Sequence, residues 1–182
     1  MRRRKMEEKE TVSRKQAVEE VRNMAFQFAD MYFAFVKVIR EKFGEEEAAD
    51  IAQRVLYMRA SERAEKMIRK AEEEGAERTP ENINRLSDVS YLGWDSSYGI
   101  ETCPYGAQWN RRIAEEPWFR KFAALYCDVT DTTIAEVFTA DSSHRLYKNV
   151  VLGDDSCERT YFPSDEVRRG KRTYDPDATN SI

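Results

Sequence analysis

Proline is missing from the amino-terminal part of the chain, and before Gly75 the only glycine is Gly44. Because proline and glycine interrupt helices most strongly, their scarcity excludes a turn-rich fold for this segment. From Val21 onward the apolar residues recur every three or four positions, which predicts one helix as far as Gly44 and a second from there to about Gly75. We therefore expect residues 1–78 to form a helical hairpin whose apolar faces pack on each other and on the rest of the chain.

An excess of positive charge is also missing. The formal net charge is −4 at pH 7, which argues against a nucleic-acid partner. No apolar run approaches the roughly 18–20 residues of a membrane-spanning helix, and no apolar segment follows the first arginines, as a signal peptide would require. We therefore expect a cytoplasmic protein without a nucleic-acid or membrane partner. Phe26, Phe33 and Phe35 of the hairpin are candidates for a pocket wall or a homo-oligomer interface, although core packing is the simpler explanation.

Cysteine and histidine are scarce, with three residues of the first type and one of the second. Cys103, Cys127 and Cys157 are odd in number and form no C-x-x-C pair, which predicts neither a disulfide framework nor a structural zinc site. Glycine-rich phosphate loops, G-x-S-x-G elbows and H-E-x-x-H motifs are absent too. The sequence therefore predicts no cofactor and no bound metal, and each cysteine is either a small buried residue or a reactive thiol.

The composition changes after Gly75, where all the prolines, tryptophans and cysteines lie. Residues 89–103 alternate aromatic and small side chains, which predicts two strands and a turn. Residues 110–126 have the pattern of a helix, and residues 131–138 that of a second, short helix. Residues 144–162 read as two strands joined by the turn signal "GDDS".

These elements together predict an α+β fold. The N-terminal helical hairpin and the further helices are expected to pack on one face of a small antiparallel β-sheet. Residues 79–165 form the α+β core that packs on the hairpin, and residues 166–182 form a polar C-terminal tail.

The segment "LYCDVTD" carries the first candidate for chemistry. With Asp128 as the N-cap of the short helix, Asp131 falls at its third position, where a carboxylate stabilises the helix start. Cys127 then lies just outside a helix N-terminus, whose free N–H groups favour the reactive thiolate. The two nearby carboxylates would, however, raise the pKa of the thiol. The alternative interpretation is that Asp128 and Asp131 only cap the helix and that Cys127 is a small buried residue.

Three further residues could support a thiol. Cys157 directly follows the predicted turn, near Asp154, and is either a site residue or an inward-facing strand residue. Cys103 precedes a proline, which makes its backbone extended, and a packed thiol at a strand end is the default interpretation. His144 lies at a loop-to-strand boundary and is the single histidine that a Cys–His dyad could use; a structural role is the alternative.

Aromatic residues are dense in the same region. Most of them are expected to be core, but Trp94 and Tyr98, near thiols and carboxylates, would also suit a planar heterocyclic ligand.

Two short motifs in this half of the chain resemble a known family. Cys127 and Asp131 match a Cys-x-x-x-Asp segment, and Gly153, Asp154 and Cys157 match a Gly-Asp-x-x-Cys segment that leads into a strand. "YGIETCPYG", which contains Cys103, resembles the strand that precedes both. In this arrangement residues 85–163 are similar to the L-2-amino-thiazoline-4-carboxylic acid hydrolase family.

The resemblance implies hydrolytic opening of a thiazoline ring to give N-carbamoyl-cysteine. Cys127 would be the nucleophile, Asp131 the acid and base, and Cys157 a second thiol oriented by Asp154. The residues expected to contact a small-molecule substrate are Asp154, Cys103, His144, Trp94 and Tyr98.

Two other interpretations stay open. The Cys, Asp and Cys constellation is also similar to alkylmercury lyases, in which two thiols hold a soft metal, although the spacing of the aspartate departs from that pattern. The C-terminal Gly-x-x-Cys strand is similar to vinyl-reductase-type ligand-binding domains, which would make the chain a binding or sensing module without catalysis.

Overall fold

The computed structural model describes residues 11–95, 97 and 103–174. This part of the chain contains six α-helices and two β-strands, which confirms the predicted α+β class. The helices are α1 (Arg14–Phe43), α2 (Glu45–Glu74), α3 (Ile83–Leu86), α4 (Pro104–Glu115), α5 (Phe119–Thr139) and α6 (Asp165–Arg168). The strands are β1 (Ser142–Lys148) and β2 (Glu158–Pro163), and short 3₁₀ segments lie at Pro80–Asn82, Tyr91–Trp94 and Val150–Leu152.

The N-terminal hairpin turns at Gly44 and ends at Gly75, as the sequence predicts, but α1 begins at Arg14, before the predicted start at Val21. Ser13 caps α1 by accepting a hydrogen bond from the Gln16 backbone N–H at 3.1 Å. Gly44, whose φ of 87° is rarely adopted by other residues, is the only residue between α1 and α2, and Gly75 ends α2 in the left-handed conformation. The two helices contact each other less than they contact the rest of the chain, since α1 packs mainly on α4 and α2 on α5.

Helix α5 differs from the prediction. The sequence predicts a helix end near Tyr126 and a new start capped by Asp128, whereas α5 runs without interruption over 21 residues. The N-cap assignment of Asp128 is therefore wrong, and Cys127 lies in the middle of a helix. Packing against α2 on one side and β1 on the other stabilises the continuous helix more than a local cap at Asp128 could. Asp128 instead accepts a hydrogen bond from the Tyr174 hydroxyl.

The two strands at the end of the chain are antiparallel, as the sequence predicts, and His144 lies opposite Tyr161. Their connection is longer than a "GDDS" turn, because it includes the 3₁₀ segment Val150–Leu152 and Gly153 with φ 105°. The strands predicted within residues 89–103 do not form in the described part of that segment. Tyr91–Trp94 adopt a 3₁₀ turn, in which Ser90 Oγ accepts from the Leu92 N–H, and residues 98–102 lie outside the described chain.

An aromatic core joins α1, α4 and α5. Trp109 of α4 is fully buried and donates its indole N–H to the Ala29 carbonyl of α1 at 3.0 Å. Phe119 and Phe122 of α5 are also fully buried beside it. This core fixes the start of α4 and the middle of α5 relative to each other, and these two segments carry two of the three cysteines.

Candidate functional site

A cavity of about 310 Å³ opens between the Tyr91–Trp94 turn, the start of α4, the middle of α5 and the segment that leads into β2. It brings together side chains that are far apart in sequence. Among the residues that line it are Trp94, Cys103, Cys127, Asp131, Cys157 and Arg159. All three thiols and the predicted acid-base carboxylate therefore face one space.

Helix α5 supplies Cys127 and Asp131, which lie four residues apart and therefore on one helix face. Cys127 is half-buried by surface area, since part of it faces the cavity. The protein packed around its sulfur raises its pKa well above the ordinary value, and the Asp131 charge adds to this rise, while a hydrogen bond from the Asn149 side chain opposes it. Cys127 is thus a neutral thiol at neutral pH, and the expected thiolate at a helix N-terminus is wrong.

The cysteine that does lie at a helix start is Cys103. It occupies the N-cap position of α4, before Pro104. The backbone N–H groups of Tyr105 and Gly106 and the Trp94 indole N–H donate to its sulfur, which favours the thiolate. Burial is the larger effect, so the net pKa of Cys103 is raised. The extended backbone of Cys103 agrees with the prediction from the following proline. Cys103 begins a helix, however, and the residues directly before it lie outside the described chain.

Arg159 and Arg63, neither of them predicted from the sequence, also line the cavity. Arg159 Nη1 contacts Asp131 Oδ2 at 3.0 Å, and the Asp131 charge raises the arginine pKa. Arg63 of α2 pairs with Asp88 at 2.7 Å. Arg159 could have been found, because residues two apart on a strand face the same side and Cys157 stands two positions before it. Nothing in the sequence near Arg63 places it at this cavity.

Aromatic rings form the apolar wall. Trp94 and Tyr105 meet edge to face with ring centroids 5.3 Å apart, and Tyr105 and Tyr126 at 5.8 Å. Burial raises the pKa of both tyrosines, so they remain neutral hydroxyl groups at physiological pH. A neutral aromatic wall opposite charged side chains suits a small planar molecule that carries an anionic group.

Two other predicted site residues, Asp154 and His144, do not line the cavity. Asp154 Oδ2 accepts from the Asn149 backbone N–H at 2.7 Å, so it supports Asn149, which in turn contacts Cys127. His144 is buried in β1, where its Nδ1 lies 3.3 Å from Thr132 Oγ1 and its ring packs on Tyr161. Burial lowers its pKa. Tyr98 lies outside the described residues.

Within residues 11–95, 97 and 103–174, no group of three or more His, Cys, Asp and Glu side chains is placed to hold a metal ion. No helix among the described residues has the length and apolar character needed to cross a membrane.

We expect the folded chain to lose stability as the pH rises above about 9, because Cys127 and Cys103 hold their protons more tightly when folded than when unfolded. Below the ordinary thiol pKa of 9.0 both states are protonated, and the stabilising contribution is complete. Between the thiol pKa of the unfolded chain and the higher thiol pKa of the folded chain, only the unfolded chain releases the proton. The free energy of unfolding then falls by roughly 1.4 kcal/mol per pH unit for each thiol. Denaturant unfolding under reducing conditions, from neutral to alkaline pH, measures this.

Two variants separate the contribution of Cys127. Cys127→Ala should flatten the alkaline decline, since the alanine variant has no proton to release at that position. Asp131→Asn should weaken the decline, because the charge that helps to raise the Cys127 pKa is gone. A Cys127→Ala profile as steep as that of the unmodified chain would contradict the assignment, and buried tyrosines such as Tyr126 would then account for the decline.

Comparisons of the chain with protein-family models, curated proteins and solved structures found no match. The resemblance to the L-2-amino-thiazoline-4-carboxylic acid hydrolase family therefore depends on the short motifs around Cys103, Cys127 and Cys157, and it remains a prediction.

Proposed function

We propose that the chain is a hydrolase that opens a small heterocycle containing sulfur and nitrogen, of the thiazoline carboxylate type. The observation that carries the proposal is the placement of Cys127 and Asp131 on one cavity together with Cys103 and Cys157. These residues come from α4, α5 and the segment before β2, so their common orientation results from the fold and not from closeness in sequence.

The cavity has the size and chemistry for such a substrate. A volume of about 310 Å³ lies at the small end of the range for ligand pockets. The planar ring packs against Trp94 and Tyr105, and the substrate carboxylate is attracted by the guanidinium groups of Arg159 and Arg63.

The reaction uses Cys127 as a neutral thiol that loses its proton during attack. Asp131, on the same face of α5, takes this proton as the sulfur bonds to the ring carbon between nitrogen and sulfur. The ring carbon–sulfur bond then breaks, and the proton passes to the departing sulfur. Arg159 holds the Asp131 carboxylate in one orientation through their 3.0 Å contact.

Water completes the turnover. It attacks the carbon now bonded to Cys127, and Asp131 accepts one of its protons. The bond to Cys127 then breaks with return of that proton to the thiol, while the second proton of the water passes to the former ring nitrogen. One water is consumed, and the product carries an N-carbamoyl group and a free thiol. Asn149 donates to the Cys127 sulfur and so stabilises it as it leaves, while Asp154 holds Asn149 in position.

The test is turnover of 2-aminothiazoline-4-carboxylate, with the carbamoyl product followed by mass spectrometry. We expect Cys127→Ser and Asp131→Asn to reduce turnover at least about 100-fold. The matched control is Tyr147→Ala, an exposed position outside the cavity, which should keep full turnover. A chain that folds, as circular dichroism would show, but does not convert the substrate would reject the proposal. Full turnover by Cys127→Ser would reject the nucleophile.

A binding or sensing module is the second candidate, and one observation favours it. The pKa values of Cys127 and Cys103 are both raised, which is typical of buried structural thiols. For such a module we expect the thiazoline carboxylate to raise the melting temperature without being consumed. Covalent modification of Cys127 by the substrate, detected after acid quenching, would decide for the enzyme.

A further inference from the structure

Helix α1 carries two apolar stripes, and the fold buries only one of them. The buried stripe includes Ala25, Ala29, Phe33 and Val36. The second stripe, which we call the outer stripe, has side chains exposed by 45–70 %. It consists of Met24, Phe28, Met31, Phe35 and Val38. Successive residues of the outer stripe are spaced four, three, four and three apart, which is the pattern of a seam between two packed helices.

The exposed residues of α1 along the outer stripe carry no charge. Every exposed residue of α1 from Asn23 to Val38 is uncharged, although charged residues make up 35 % of the chain. Asp30 and Lys37, the charged residues between them, are half-buried and pair with Arg112 and Glu116 of the same chain. A helix face that stays in water usually carries charged side chains, so this face is suited to contact with another apolar surface.

A groove runs beside the outer stripe, between α1 and α2. It has a volume of about 580 Å³, and its walls are mostly apolar. They include Phe28, Met31, Phe35, Ile39, Ile51 and Val55. The groove exists because α1 and α2 each pack mainly on other helices and leave space between them. Side chains of an approaching helix can enter it as ridges enter grooves.

We propose that the outer stripe of α1 is a homodimer interface, in which two copies of the chain pack their α1 helices antiparallel across a two-fold axis near Met31. Glu20 and Lys42, two of the charged residues at the ends of the stripe, favour this occupant and this direction. One turn before Met24 stands Glu20, and one turn after Val38 stands Lys42, both exposed. An antiparallel pair puts each Glu20 opposite the partner's Lys42, whereas a parallel pair puts like charges together.

The exposed apolar area is sufficient for a dimer. The five side chains of the outer stripe, with Val55 on the wall of the groove, are each exposed by at least 45 %. Together they offer several hundred Å², on the order of the roughly 800 Å² that each partner buries in a standard interface. The proposal does not depend on the proposed hydrolase activity, since the outer stripe does not line the cavity that holds the thiols.

Light scattering coupled to size exclusion tests the interface. We expect the unmodified chain to have twice the chain mass of 21.3 kDa, and Met31→Glu and Phe35→Glu to have the mass of one chain. Both positions are exposed, so the monomers should fold, as circular dichroism can verify. Leu152→Glu is the matched control, because it introduces the same charge at an exposed apolar position away from α1 and should remain dimeric.

Charge reversal tests the direction of packing. Glu20→Lys and Lys42→Glu should each weaken dimerisation by roughly 3- to 30-fold, and the double variant should regain most of the affinity. No recovery in the double variant would reject the antiparallel arrangement. If the unmodified chain is monomeric at high micromolar concentration, the proposal is overturned. This also holds if the monomer binds lipid vesicles through the outer stripe. A dimer that persists in both Met31→Glu and Phe35→Glu would also overturn the proposal.

Discussion

Replacing Trp109 by alanine is expected to lower the free energy of unfolding by about 3–5 kcal/mol. The side chain is fully buried and connects three helices, because it belongs to α4, donates to a carbonyl of α1 and packs on rings of α1 and α5. Its ring centroid lies 4.9 Å from that of Tyr126, 5.5 Å from Tyr105, 5.7 Å from Tyr32 and 6.3 Å from Phe119. Removing it leaves a cavity that helices fixed on several sides can fill only in part.

Chemical denaturation followed by circular dichroism measures the loss. Trp109→Phe keeps a ring in the core and loses the hydrogen bond to Ala29, so it should cost clearly less than alanine. Tyr147→Ala, at a position that is 65 % exposed, should change the stability by less than about 0.5 kcal/mol. If Trp109→Ala cost no more than Tyr147→Ala, the aromatic core would not hold α4 against α1 and α5.

The pairing of Cys127 with Asp131 could be predicted from the sequence, although the predicted helix start was wrong. The sequence analysis paired them through the family resemblance, with Cys127 outside the predicted helix. In the structure α5 contains both residues, and a spacing of four places them on one helix face. The predicted pKa of the Cys127 thiol, in contrast, depended on where the helix begins. A cysteine beyond a helix N-terminus faces free N–H groups, whereas Cys127 inside α5 faces Asp131 and a packed interior, which raise the pKa instead.

The placement of Cys103 and Cys157 in one cavity could not be derived from local patterns. These residues reach the cavity because α4 and the segment before β2 pack on α5, which is a property of the whole fold. Likewise, the apolar spacing of α1 correctly predicted a helix but not which apolar residues would be buried. Met24 and Phe28 are exposed, while Ala25 and Ala29 on the neighbouring face are buried. Hydrophobic periodicity locates a helix, but only packing assigns its faces.

Replacing Gly106 by alanine is expected to destabilise the chain by about 1–3 kcal/mol, even though alanine is the better helix former. A Cβ atom at Gly106 would lie 2.6 Å from Val150 Cγ2, which is closer than any normal contact. Val150 cannot move away easily, because it is buried and its carbonyl accepts from the Asn110 side chain at 3.2 Å. The overlap therefore outweighs the gain of up to about 1 kcal/mol in helix propensity.

The same substitution should reach the candidate site. Val150 follows Asn149, whose side chain bonds to Cys127, so displacing this turn should weaken that contact and open the thiol to alkylation by iodoacetamide. In the double variant Gly106→Ala with Val150→Ala the clashing methyl groups of Val150 are absent. Its loss in free energy of unfolding should therefore be smaller than the sum of the losses in the two single variants, which indicates direct coupling. Strict additivity would show that the close approach of α4 to this turn does not limit the fold. Unchanged alkylation of Cys127 in Gly106→Ala would show that the position of Asn149 does not protect the thiol.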